Sequence, residues 1–375
     1  MSASDAVRAG GGRAYRLISA DGHFTEPGDL WTARVPAAMR DRAPRMERFD
    51  EGDAWVIEGV DDPINFGMNA CAGLDPSEMK GWMHFEDMRR GGYDPAARIE
   101  EMDADGVDAE VLYPTPRLSA AIAAHRDPDY HHAMVRAYND WMSEFVAHAP
   151  DRFGGILWIP NRGVEEALAE IDRVAGRPGV RGAMVLAWPH GGLSLKPEDD
   201  KVFAALVERR LSLNIHVAMT QSMPAAHKAK LPGYGRFFDA PNRMIQLVFD
   251  GVFDRFPELD VVFAETDFGW VPYVKEQIDN NYSRLDPVSR FGLQMLPSDY
   301  ISRHFHFGYM TDTFGLRNLV DVGAERVLWS SDYPHISADW PHSWKVIQSS
   351  MSGISSADRH AVLAGNSMRL YGFGD

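Results

Sequence analysis

An aspartate and a histidine two residues apart close an apolar run near the start of the chain, Leu17-Ile18-Ser19-Ala20-Asp21-Gly22-His23. In an extended strand alternate side chains share a face, so Asp21 and His23 project together from one strand end. A carboxylate oxygen beside an imidazole nitrogen is a start for a divalent metal site. Such triplets also occur as surface turns, so the reading depends on partners elsewhere in the chain. The run 211–216 ends in His216, and the run 261–265 ends in Glu265 with Asp267 just beyond. The run 327–332 ends in Asp332, followed by Tyr333-Pro334-His335, and Trp188-Pro189-His190 closes another. Charged groups are seldom buried without a partner, so packing alone does not account for them. Two carboxylates and two imidazoles, Asp21, His23, His216 and Asp332, can converge on one divalent ion and leave positions open for water or substrate.

The elements that must position these residues follow from hydrophobic period. Short runs rich in β-branched or aromatic residues predict strands at 16–20, 109–113, 154–159, 182–188, 211–217, 260–265, 304–309 and 326–331. Helical patterns fill most of the gaps. Asp94-Pro95 predicts an N-cap and first turn, with Gly106 placed to end that helix. Further helices are expected at 130–148, 164–174, from Pro197 through Val207, at 241–255, 270–284, 313–322, 340–350 and 356–371. Eight strands alternating with helices predict a (β/α)8 TIM barrel, whose catalytic groups stand at the C-terminal strand ends. An open doubly wound sheet also alternates, but no Gly-x-Gly-x-x-Gly follows an early strand. Residues 24–93, with Pro27, Pro36, Pro44 and Pro63, read as an insertion after strand 1 with a small hairpin near 54–58. Residues 218–240, with Met219, Met223, His227, Tyr234, Phe237 and Phe238, read as a lid loop after strand 5.

The totals narrow the class of function. The chain has 375 residues, 45% hydrophobic and 25% charged, as a globular protein does. We expect a disordered N-terminal tail over 1–14 and one domain over 15–375. The formal net charge of −16 opposes binding to nucleic acid or to an anionic membrane. No run approaches the ~18 apolar residues of a membrane span. Cys71 is the only cysteine, so no intrachain disulfide forms. A cytoplasmic protein is expected.

The motifs, taken in order, resemble the amidohydrolase superfamily, in particular the amidohydrolase-related branch that includes aminocarboxymuconate-semialdehyde decarboxylase-like proteins. The resemblance is carried by Ser19-Ala20-Asp21-Gly22-His23 with Glu26-Pro27 and Asp29-Leu30-Trp31, and by Arg98-Ile99-Glu100-Glu101-Met102-Asp103 before Gly106-Val107-Asp108. It continues through His216, Gly251-Val252-Phe253-Asp254-Arg255-Phe256-Pro257, Glu265 with Gly269-Trp270-Val271-Pro272, and Trp329-Ser330-Ser331-Asp332-Tyr333-Pro334-His335. It implies a mononuclear site whose strand-1 pair, strand-5 histidine and strand-8 aspartate are here Asp21, His23, His216 and Asp332. It also implies a homodimer. Many relatives have His-x-His or Glu-x-His where this chain has Asp21-Gly22-His23. Well-studied decarboxylases of the branch carry a histidine at the strand-6 end, where this chain has Ala264-Glu265-Thr266-Asp267.

The expected activity is therefore a metal-dependent hydrolase. One ion of Zn²⁺, Mn²⁺, Fe²⁺ or Co²⁺ would activate water, with Asp332 taking its proton, to cleave a C–N, C–O or C–C bond beside a carbonyl. The aromatic and Met-rich loops point to a small apolar or aromatic organic substrate. The alternative is non-oxidative decarboxylation of an aromatic or unsaturated carboxylic acid, and a reading from another class is a non-catalytic ligand-binding barrel. Glu265, His190 and His335 are candidates for acid–base work, and Phe24, Trp188, Arg243 and His306 for substrate contact. His125, His131 and His132 lie on or before an amphipathic helix and are expected at the surface.

Overall fold

A computed structural model describes residues 7–8, 14–217, 219 and 238–374. Eight parallel strands form one sheet: β1 (Ile18–His23), β2 (Ala109–Tyr113), β3 (Phe153–Trp158), β4 (Val180–Met184), β5 (Ser212–His216), β6 (Val261–Ala264), β7 (Phe305–Tyr309) and β8 (Val327–Trp329). Neighbours in the chain are neighbours in the sheet, from β1 to β8. The ring is drawn together beyond the end of β8. Asp332 N donates to Asp21 O at 2.9 Å, and His23 N donates to Tyr333 O at 2.7 Å. The expected (β/α)8 barrel is the observed fold.

β5 shows why the strands carry polar residues inward. Ser212, Asn214 and His216 alternate with Leu213 and Ile215, and all five are buried. Tyr113 and Tyr371 donate to Asn214 Oδ1 at 2.8 and 3.1 Å, satisfying the amide oxygen inside the barrel. His216 then stands on the same side, one step nearer the C-terminal end.

The outer helices follow local rules. In Pro95–Asp105 the Asp94 carboxylate accepts from Ala96 N at 2.9 Å, Pro95 opens the first turn, and Gly106 ends the helix at φ 75°. Pro128–Val146 buries Tyr130, Met134, Tyr138, Trp141 and Phe145 at helical spacing. His131 lies on that buried face rather than at the surface, and its ring is satisfied: Nδ1 is 3.1 Å from Ile122 O, and Asn161 N donates to Nε2 at 3.0 Å. The helices Pro116–Ala124 and Pro297–His304 were not anticipated.

The insertion holds a three-stranded antiparallel sheet, Arg45–Phe49, Gly52–Val56 and Ile64–Asn65, larger than the hairpin expected near 54–58. It docks on the loop after β8, where Ile336 N donates to Met68 O at 2.8 Å. Of the expected tail over 1–14, Val7–Arg8 pairs antiparallel with Ala14–Tyr15, and residues 1–6 and 9–13 lie outside the described residues. Most of the expected lid over 218–240 also lies outside them, including Met223, His227, Tyr234 and Phe237. No described helix is long and apolar enough to cross a membrane.

Candidate metal centre

Strand ends bring the chemistry together. Asp21 and His23 close β1, His216 closes β5, Glu265 follows β6, and Asp332 and His335 follow β8. His23 Nε2 is 3.4 Å from Asp21 Oδ1, 3.4 Å from Asp332 Oδ1 and 3.0 Å from His216 Nε2. His216 Nε2 is 3.3 Å from Asp21 Oδ2 and 3.5 Å from Glu265 Oε2. His335 Nδ1 is 2.9 Å from Asp332 Oδ1, and its ring stacks on His23 with centroids 3.9 Å apart.

The donor set fits a divalent ion. Ligand atoms of Asp21, His23, His216 and Glu265 all lie within 4.8 Å of one another, and so do those of His23, Glu265, Asp332 and His335. His23 Nδ1 faces Pro114 O at 3.1 Å, which favours the proton there and leaves Nε2 as a bare donor. Burial lowers the pKa of His23, and the neighbouring His335 and His216 act in the same direction against Asp21 and Asp332. A neutral imidazole is the form that ligates a metal. Burial alone would raise the Asp332 carboxyl, but His335 and His23 outweigh it and hold it below the usual carboxylate range. Two imidazole Nε2 atoms facing each other among buried carboxylates is an arrangement that a cation between them resolves.

The backbone at this end is strained. Val217, Glu265 and Asp332 adopt φ of 56°, 55° and 54°, within three residues of the ends of β5, β6 and β8. Left-handed φ is rare for non-glycine residues, a β-branched valine above all, and such residues gather at functional sites.

A cavity of about 430 Å³ opens over the cluster. His216, Glu265, Asp332 and His335 lie at its floor, and Met68, Met184, Leu186, Met219 and Ile336 make its walls largely apolar. Arg117 is the one Arg or Lys among these described lining residues. Its Nη1 donates to Asn65 O at 3.0 Å and to Asn65 Oδ1 at 2.7 Å, and burial lowers its pKa. Arg117 was missed in the sequence, although the strand-end rule applied to β2 leads to it: Tyr113 ends β2 and Arg117 lies four residues on.

Five other candidates stand elsewhere. Phe24 is one residue past His23, so it points out of the barrel and packs on Trp141 and Phe145. Trp188 is buried against Phe203, its indole donating to Leu193 O at 3.0 Å. His190 is held by Asp199, with Nδ1 2.8 Å from Oδ2. Arg243 reaches Gln246 Oε1 at 2.7 Å and Leu193 O rather than the cavity. His306 sits at the second position of β7, toward the N-terminal end of the barrel, 3.0 Å from Asp260 Oδ1.

Fold and site together define a (β/α)8-barrel protein with a donor set for one divalent ion at its catalytic end. The chain belongs to the amidohydrolase family, whose model matches residues 20–373. Among curated relatives, a gamma-resorcylate decarboxylase of Polaromonas sp. is 24% identical over 292 residues, 73% of this chain and 86% of the relative. A 2-amino-3-carboxymuconate-6-semialdehyde decarboxylase of Dictyostelium discoideum is 23% identical over 295 residues, 77% of this chain and 79% of the relative. The resemblance read from the motifs is thus borne out. A crystal structure of 5-carboxyvanillate decarboxylase from Novosphingobium aromaticivorans, complexed with manganese and 4-hydroxy-3-methoxy-5-nitrobenzoic acid, superposes with a TM-score of 0.69. It is 18% identical and covers 99% of this chain and 100% of its own.

Proposed function

We propose that this protein is a metal-dependent, non-oxidative decarboxylase acting on an aromatic or unsaturated carboxylic acid. The observation that carries the reading is the imidazole–carboxylate cluster at the floor of a largely apolar cavity walled by one arginine. The two decarboxylase relatives favour this alternative over the hydrolase expected first from the sequence. Asp21, His23, His216 and Asp332 would hold the ion, with Glu265 close enough to join them, and manganese in a structural relative supports that choice among the four metals considered. When bound, the ion would supply positive charge for an anionic substrate and for charge developing on it.

The chain's own residues do the rest. The Met and Leu walls hold the ring and exclude water. Arg117 presents a guanidinium to an anionic substituent. His335, one of the residues lining the cavity, turns Nδ1 toward Asp332, and its Nε2 is buried without a hydrogen-bond partner among the described residues. We assign His335 Nε2 as the proton donor to the ring carbon that loses carbon dioxide. One proton enters, one carbon–carbon bond breaks, and carbon dioxide leaves, with no net redox change.

Glu265, where decarboxylases of the branch carry a histidine, is the feature that keeps hydrolysis as the second reading. Turnover of a panel of hydroxybenzoates and β-keto compounds by metal-loaded protein in D2O and in H2¹⁸O separates the two. Decarboxylation leaves one deuterium on the product carbon and no solvent oxygen. Incorporation of ¹⁸O into the aromatic product, as distinct from carbon dioxide, which exchanges oxygen with water, overturns the decarboxylase reading.

A further inference from the structure

The opposite end of the barrel carries a second cavity of about 590 Å³, where the N-terminal ends of β5, β6, β7 and β8 meet the surface. Arg210 precedes β5, Arg303 precedes β7, Arg326 precedes β8, and Arg369 comes from the closing helix Asn366–Tyr371. Glu258 and Asp260 are the carboxylates among the described residues of its wall. Four guanidinium groups against two carboxylates leave an excess of two positive charges, in a chain whose formal net charge is −16.

The partners present do not use up these donors. Asp260 Oδ1 lies 3.0 Å from His306 Nε2 and 3.8 Å from Arg326 Nη1, so one carboxylate serves both. Arg369 donates to neutral acceptors, Asn366 Oδ1 at 3.0 Å and Glu325 O at 3.3 Å. Neither Arg210 nor Arg303 has a carboxylate partner among the described residues. His306 is 3% exposed and lines the cavity, and among the described residues its Nδ1 is buried without a hydrogen-bond partner, as is Arg326 Nε. Crowded like charges repel unless an anion joins them, and guanidinium groups match phosphate oxygens in a two-pronged geometry. The volume suits a small molecule rather than one inorganic ion, and Leu211 and Leu259 offer apolar surface for its carbon part.

We propose that this mouth of the barrel binds a small organic phosphate carrying at least two phosphoryl charges, separately from the metal centre. The inference does not rest on the decarboxylase reading. The test is calorimetric titration of fructose 1,6-bisphosphate, as probe, into the full metal-loaded chain at low ionic strength. We expect saturable 1:1 binding that weakens with added salt. The double variant Arg210→Ala/Arg303→Ala removes two exposed side chains and should keep the melting temperature of the free protein, yet bind about tenfold or more weakly. Arg117→Met, at the other end of the barrel, should bind as the parent does. Absence of saturable heat, equal affinity in the double variant, or loss of binding in Arg117→Met would each overturn the proposal.

Discussion

Arg98 holds the barrel shut at its catalytic end, and removing it gives a quantitative test. Its side chain is fully buried. Nε donates to Glu110 Oε2 at 2.6 Å, Nη1 to His23 O at 3.0 Å and Gly91 O at 3.3 Å, and Nη2 to Tyr333 O at 3.2 Å. The guanidinium also covers the Tyr333 ring, 4.4 Å from its centroid. One cation therefore ties the strand that carries Asp21 and His23 to the loop that carries Asp332 and His335. Gly22 makes room for it, since a Cβ there would lie 2.9 Å from Arg98 Nη2. Glu110 Oε1 takes a hydrogen bond from Ser331 Oγ at 3.2 Å, so the same network reaches the loop after β8 twice.

Arg98→Met keeps most of the side-chain volume and strands the Glu110 carboxylate. Breaking a buried ion pair on one side costs about 3–5 kcal/mol. Unfolding entropy near ~2.1 cal/mol/K per residue over 375 residues is about 0.8 kcal/mol/K, so the melting midpoint should fall by roughly 4–6 °C. Calorimetry of the metal-loaded protein measures this. The double variant Arg98→Met/Glu110→Gln should recover part of the loss, with a coupling of about 1–3 kcal/mol in a double-mutant cycle. Metal affinity by chelator competition should fall about tenfold, because the His23 backbone loses its anchor. Additivity within ~0.5 kcal/mol together with unchanged metal affinity would refute the argument that Arg98 positions the ligands.

Arg117→Met should raise KM for an anionic substrate by about tenfold or more and change kcat little, because the guanidinium binds rather than reacts; an unchanged KM in steady-state kinetics counts against it. Burial pushes the His131 pKa down to about 3 from its ordinary 6.5, so between those values the unfolded chain takes up a proton that the folded chain does not. Its contribution is full above about pH 6.5 and lost as pH falls toward 3, at ~1.4 kcal/mol per pH unit. His131→Gln should flatten that acid limb in denaturant titrations at a series of pH values, and an acid limb identical to the parent's sinks the assignment.

The barrel and the metal donors were legible because both rest on period and position. Alternation in a strand put Asp21 with His23, and parallel strands put His216 and Asp332 at the same end; neither step needs a tertiary contact to be known. The substrate-side candidates lie away from the cavity where residue type overrides the same geometry. Phe24 has the parity that faces the helices, and His306 stands at the wrong end of β7. Arg243 begins a helix after the expected lid, but its guanidinium is drawn to Gln246 and the Leu193 carbonyl. Arg117 obeys the strand-end rule, since it lies four residues past the end of β2, in a stretch where the sequence reading names no candidate. Glu265 follows β6, where the run 261–265 puts it, and what decides its reach is not in that run. A carboxylate one residue beyond a strand reaches the ion or the substrate according to its backbone angle, and the left-handed φ of 55° that turns it toward His216 leaves no mark in the sequence.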